Sequence, residues 1–154
     1  MDYIVCRESL PWGFIHVEGK PITPSSNHPE IDESGIVLVD NEMLVSAYEP
    51  GDLPVVLSIR TSCDQRLLDE GVLNHVVSHV IESDNGQFYI SDNLFEKFIV
   101  RCYVNEQSAT ISFYMDDTVW ESRHVVVVVH GMTDQKVVVD EVTDRGYLDG
   151  RSTL

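Results

Sequence analysis

Along much of this chain apolar and polar residues alternate with a period of two, and that rhythm restricts it to sheet. In Lys97-Phe98-Ile99-Val100-Arg101-Cys102-Tyr103-Val104 the even positions are all apolar, and in Ala109-Thr110-Ile111-Ser112-Phe113-Tyr114-Met115 the odd positions are. Successive side chains of a strand point to opposite faces, so each pattern predicts a half-buried antiparallel strand. The link Asn105-Glu106-Gln107-Ser108 is short and polar and predicts a hairpin between them. Ser122 to His130 contains five consecutive valines. A run apolar on both faces, this short and this β-branched, predicts a buried strand.

Further strands are expected over Trp12 to Glu18, Gly35 to Asp40, Met43 to Tyr48, Pro54 to Arg60, Gln87 to Ser91 and Lys136 to Val142. Asn41-Glu42 would close a hairpin between the second and third of these. Asn85-Gly86 is a strong two-residue hairpin signal ahead of Gln87. Val72 to Ile81 fits a helical and a strand period alike, and its β-branched content favours strand. Helix is confined to Cys63–Glu70 and Ser91–Glu96, one or two turns each. Lys20 to Pro29 is a long loop with three prolines. The expected fold is all-β, mainly antiparallel: a single-domain β-sandwich or partly closed barrel over residues 1–145, with a frayed end over 146–154.

Charge is the second constraint. Twenty-six acids oppose ten Lys and Arg, a formal charge of −16 on 154 residues. With 43% apolar residues the chain is too hydrophobic for disorder. Its apolar runs fall far short of the roughly 20 residues of a membrane span. The first residues lack the basic and apolar regions of a signal peptide, so the expected location is the cytoplasm. Cys6, Cys63 and Cys102 are too scattered for a disulfide framework or a thiolate cluster. Asp64 disfavours a reactive thiolate at Cys63.

The acids are spread over both halves, but the bases are not. No Lys or Arg lies between Lys20 and Arg60, where seven acids fall, nor between Arg66 and Lys97, where six fall. Such stretches project a negative field that repels nucleic acid and anionic membrane and attracts a basic protein or a cation. Glu30, Asp32, Glu33, Glu49 and Asp52, with Asp84, are the candidate partner-binding residues.

Motifs for chemistry are scarce. His75 and His79, four apart, would share a face in helix or strand and could share a metal ion, but no Glu follows His75 as in His-Glu-x-x-His. Two histidines on a half-exposed sheet face explain them as well. Val125 to Gly131 resembles the strand and His-Gly loop of α/β-hydrolases, yet no Gly-x-Ser-x-Gly elbow exists. No Asp-x-Asp-x-Asp pattern marks a calcium loop. No cofactor and no catalytic residue is assigned.

Gly51-Asp52-Leu53-Pro54-Val55-Val56-Leu57-Ser58-Ile59, then His75-Val76-Val77, then Asn85-Gly86-Gln87-Phe88-Tyr89-Ile90, and later Phe98-Ile99-Val100-Arg101-Cys102-Tyr103, resemble the middle of the competence protein J-like family over about residues 35–115. The resemblance rests on strand rhythm and turn positions, and it implies a small bacterial β-sandwich that inhibits a partner nuclease. It carries no functional residue across. The expected function is therefore a non-enzymatic acidic protein that binds and neutralises a basic nuclease or toxin, as an inhibitor or immunity protein does. The alternatives are a Ca- or Zn-binding sandwich, and a domain whose charge serves only solubility and unpaired sheet edges.

Overall fold

The structure is a computed structural model that describes residues 3–6, 14–19, 33–39, 41–47, 55–92 and 98–140, with backbone alone at 3–6, 98 and 137–140. The chain forms β1 (Tyr3–Cys6), β2 (Phe14–Glu18), β3 (Ile36–Val39), β4 (Glu42–Ser46), β5 (Val56–Arg60), α1 (Gln65–Asp69), β6 (Asn74–Glu82), β7 (Gln87–Asp92), β8 (Phe98–Val104), β9 (Ser108–Met115), β10 (His124–Val129) and β11 (Met132–Asp140). Two open sheets result, a five-stranded one in the order β1-β5-β10-β9-β6 and a six-stranded one in the order β11-β8-β7-β2-β4-β3. Neighbours are antiparallel except β5 and β10. The fold is an all-β sandwich, and no barrel closes. Among the described residues no helix is long and apolar enough to cross a membrane.

Alternation explains the layers. Ile15 and Val17, Leu57 and Ile59, Ile111 and Phe113, and Val125, Val127 and Val129 point inward and form one fully buried core between the sheets. The valine run is buried on both faces, as its composition requires. Val126 and Val128 point away from the core and lie under Leu73, Leu67 and Leu68 around α1. Each such buried side chain contributes about 1.5–3 kcal/mol. The Asp64 carboxylate caps α1 by accepting from Arg66 N at 2.9 Å, and Gly71, with φ +72°, turns the chain away from the helix's end.

The hairpin expected of β3 and β4 forms. Those expected at Asn105–Ser108 and at Asn85-Gly86 do not. β8 and β9 lie in different sheets, as do β6 and β7, and β10 and β11. Each short turn is an arch that carries the chain across the core from one sheet to the other. Both strands of each pair present an apolar face, and facing them across the core buries both faces, which pairing edge to edge would not.

Ser91 and Asp92 continue β7 as strand instead of opening a helix; residues 93–97 lie outside the described set. Val72 to Ile81 resolves as strand, from Asn74 on. The Lys20–Pro29 loop and residues 141–154 also lie outside the described set.

Candidate functional site

All three arches stand at the same end of the sandwich and hold one another. Gln107 O accepts from Ser83 N at 2.7 Å, and Gly86 O accepts from Val104 N at 2.9 Å. Gln107 Nε2 donates to Asp84 O at 3.4 Å. Inside the first arch the Ser83 hydroxyl donates to Gln87 O at 2.7 Å and accepts from Gln87 N at 3.1 Å. Gly86 takes φ +73°, and a Cβ there would stand 2.4 Å from the Val104 carbonyl oxygen, so only glycine fits.

Between the arches lies a shallow cleft of about 600 Å³, floored by Val80, Val104 and Ala109 and edged by Glu106, Thr110 and His130. A smaller hollow of about 230 Å³ adjoins it between Glu82, Asp84 and Gln107. Glu82, Asp84 and Glu106 are exposed, and among the described residues no hydrogen bond or ion pair engages their carboxylates. No Lys or Arg falls within 82–87, 104–110 or 129–132. Three unneutralised acids therefore stand at the arch end: Glu106 edges the cleft with the apolar floor, and Glu82 and Asp84 line the polar hollow that adjoins it. Val80 is 54% exposed there, enough for contact with a partner.

The opposite end is built differently. The Asp116 carboxylate accepts from Arg123 N at 3.0 Å and His124 N at 3.1 Å, and that of Asp117 accepts from Thr118 N at 2.7 Å. The buried Ser122 hydroxyl closes the same turn onto Thr118 O at 2.6 Å. Trp120 Nε1 donates to Glu33 O at 2.8 Å, tying the start of the β3 segment to this turn.

These two ends separate the candidate residues. Asp84 lies at the arch end. Glu33 is exposed at the opposite end, roughly 24 Å away along β9 at about 3.4 Å per residue. Glu30, Asp32, Glu49 and Asp52 lie outside the described residues. The structure places Glu82 and Glu106 at the same end as Asp84. Glu82 was legible as part of the base-free stretch that also holds Asp84, whereas Glu106 needed the arches.

His75 and His79 do not share a face. The register of β6 on β9 shifts between His75 and Val77, which places His75 opposite Tyr114 on the outer face and His79 opposite Ile111 on the inner side. Val76 and Val77 both pack on the core, as the residues of a bulge do. His79 Nε2 reaches Val39 O at 3.2 Å, while the His75 ring meets Tyr114 edge-on at 5.4 Å. On the outer face a hydroxyl chain links His75 Nε2 to Ser78 Oγ (2.7 Å), Ser78 Oγ to Ser112 Oγ (2.7 Å) and Ser112 Oγ to His130 Nε2 (3.0 Å). Of its two serines, Ser112 is buried and Ser78 is exposed.

A second polar set sits on the outer face of the six-stranded sheet. Register sets Lys136, Arg101, Tyr89, Glu18 and Glu42 side by side on neighbouring strands. Arg101 lies over the Tyr89 ring, its Cζ 5.4 Å from the centroid, and Tyr89 stands between it and Glu18. His16, two residues before Glu18 on the same face, is buried, and its Nε2 lies 2.5 Å from Glu42 Oε1 and 3.2 Å from Glu18 Oε1. The alternation His16-Val17-Glu18 was legible in sequence, but the partner strand that brings Glu42 was not.

Environment disfavours the thiolate at both described cysteines. Burial pushes the Cys102 thiol up to about 12. Burial also raises Cys63, with Asp64 adding to the rise and Arg60 opposing it.

No family model and no curated protein matches the chain. Among solved structures the chain is similar to ComJ from Bacillus subtilis, described as an inhibitor of the DNA degrading activity of NucA. Identity is 8%, the match covers 85% of this chain and 93% of that one, and the TM-score is 0.49.

Proposed function

We propose that this protein is a non-enzymatic acidic binding protein that docks a basic protein, of the nuclease or toxin class, and blocks its working surface. The observation that carries this reading is the arch end, where Glu106 edges an apolar-floored cleft and Glu82 and Asp84 line the hollow beside it, all three without a described counter-charge. A nuclease must hold a polyanionic backbone, so its substrate cleft concentrates Lys and Arg. Carboxylates on a rigid rim are complementary to such a cleft. They raise the encounter rate and select the partner, while apolar contacts such as Val80 set the lifetime. The net charge of −16 extends the same attraction beyond the contact itself.

The test is capture from the native cell with three baits: the wild type, a triple variant E82Q/D84N/E106Q, and an opposite-end variant Glu121→Gln. The reading expects a basic protein on the wild-type and Glu121→Gln baits that is lost from the triple variant, and whose activity on its substrate falls when the wild type is added. Equal capture on all three baits, or no basic protein on any, would leave the charge with solubility as its only role.

A further inference from the structure

The outer face of the six-stranded sheet carries an electrostatic conflict that the fold has to resolve. Glu18 and Glu42 are direct cross-strand partners on β2 and β4. Like charges directly opposite in a sheet destabilise it. Neither is at liberty to swing fully into water: their side chains are 22% and 33% exposed. Among the described residues the nearest Lys or Arg along this row is Arg101, and Tyr89 stands between it and them. What lies between the two carboxylates is the buried imidazole of His16, whose Nε2 addresses both. The Nε2 proton can lie in line with only one of these two carboxylates.

We propose that His16 Nε2, Glu18 and Glu42 bind a divalent transition-metal ion of the zinc class. One nitrogen and one oxygen from each glutamate lie within 4.8 Å of one another. Donors about 2.0–2.2 Å from a tetrahedral zinc ion are about 3.4 Å apart, so small side-chain rotations bring the three onto one ion. The ion takes the place of the Nε2 proton, and its two positive charges balance the two carboxylates. The donor set also selects the ion. Imidazole suits zinc and its neighbours, whereas calcium and magnesium demand oxygen shells that three side chains, one of them a histidine, do not supply. Three protein ligands leave a fourth position for water, on the side where Glu18 and Glu42 reach solvent.

The strands enforce the geometry. His16 and Glu18 share a face because they are two apart on one strand, and Glu42 is fixed across from Glu18 by pairing. Val17 and Met43, between and beside them on the opposite face, are fully buried in the core and lock both strands in register. The backbone near the site is equally constrained: a Cβ on Gly19 would stand on the Glu82 carbonyl oxygen, and Glu82 N donates to Asn41 Oδ1 at 3.2 Å. The site is independent of the partner-binding reading and stands on different residues.

The experiment is calorimetric titration of Zn²⁺ into chelator-treated full chain, with Ca²⁺ as the comparison ion. The expected result is one Zn²⁺ per chain, a melting temperature that rises with Zn²⁺ concentration, and no response to Ca²⁺. His16→Gln should weaken Zn²⁺ binding by about 100-fold or more, since losing even an outer hydrogen-bond partner of a ligand typically costs 10–100-fold. Glu42→Gln, at a more exposed position, should weaken it in the same direction and guards against a misfolded His16 variant. His130→Gln should change nothing. In the wild type, Mn²⁺ should broaden the NMR signals of His16, Glu18 and Glu42 first. No Zn²⁺ binding by the wild type, binding unchanged in Glu42→Gln, or broadening centred on His75 and His130 would overturn the proposal.

Discussion

At the end where β9 runs out, acids build the chain's own turn: Asp116 holds two backbone N–H groups and Asp117 holds a third. At the arch end the backbone is held by Ser83, Gly86 and Gln107, and the carboxylates of Glu82, Asp84 and Glu106 have no such task. Both ends are acidic. At one end Asp116 and Asp117 are taken up by backbone hydrogen bonds, and at the other all three carboxylates are left to the solvent, or to a partner. A formal charge therefore says little until each carboxylate is assigned to structure or to surface. Only the unassigned ones supply an outward field that a partner can use.

Glycine substitution probes the two ends most severely. Gly86→Ala meets the Val104 carbonyl at 2.4 Å and adopts φ +73°; backbone cannot yield as a side chain can, and a loss of about 3 kcal/mol or more is expected in denaturant melts. Gly35→Ala, at φ +69°, meets a Val119 methyl at 2.7 Å, which can shift; about 1–3 kcal/mol is expected. Equal losses would mean that the arches are not the rigid end.

Carboxylate removal should reverse that ranking. Asp116→Ala strands two backbone donors and should destabilise by about 1–3 kcal/mol. The triple variant E82Q/D84N/E106Q removes three charges with no described bonds and should alter stability by no more than about 0.5 kcal/mol. Thermal melts of the two proteins side by side decide the matter. A triple variant that melts as early as Asp116→Ala would show the arch-end acids to be structural after all.

The smallest effect belongs to the thiols. Cys102, two residues before an arch, has a folded value pushed up to about 12 from an ordinary 9.0. The folded state keeps its proton where the unfolded chain loses it, so this contribution to stability is complete below pH 9 and is lost as pH rises from 9 toward 12. Cys102→Ala should flatten that alkaline slope. Thiol labelling at neutral pH should modify Cys63 slowly and leave Cys102 protected until global unfolding.

Most of the strands were legible because burial on one face imposes a period of two, and Val125–Val129 was legible as doubly buried because both periods are apolar. The sheet each strand joins was not. Asn85-Gly86 serves a hairpin or an arch equally well, since both need a left-handed residue, and only the apolar faces of β6 and β7 meeting across the core decide between them. Tyr3–Cys6 was too short to stand out as a strand, and its pairing with β5 gives it that conformation. The His75–His79 pairing failed for one reason: a bulge at the start of β6 inverts the side on which His75 emerges. Of the two candidate partner-binding residues that are described, Asp84 falls at the acidic arch end and Glu33 at the opposite end; Glu106 was not legible beside Asp84, because the arch end is assembled by turns distant in sequence.

The decisive property is which end of the molecule attracts a cationic surface. An NMR titration of the labelled protein with a short arginine-rich peptide, at low and at physiological salt, measures this. The prediction is shifts concentrated at residues 82–86 and 104–108, fading as the screening length falls to about 8 Å, with residues 116–123 and Glu33 unmoved. Shifts centred on 116–123, or spread evenly over every exposed acid, would contradict it.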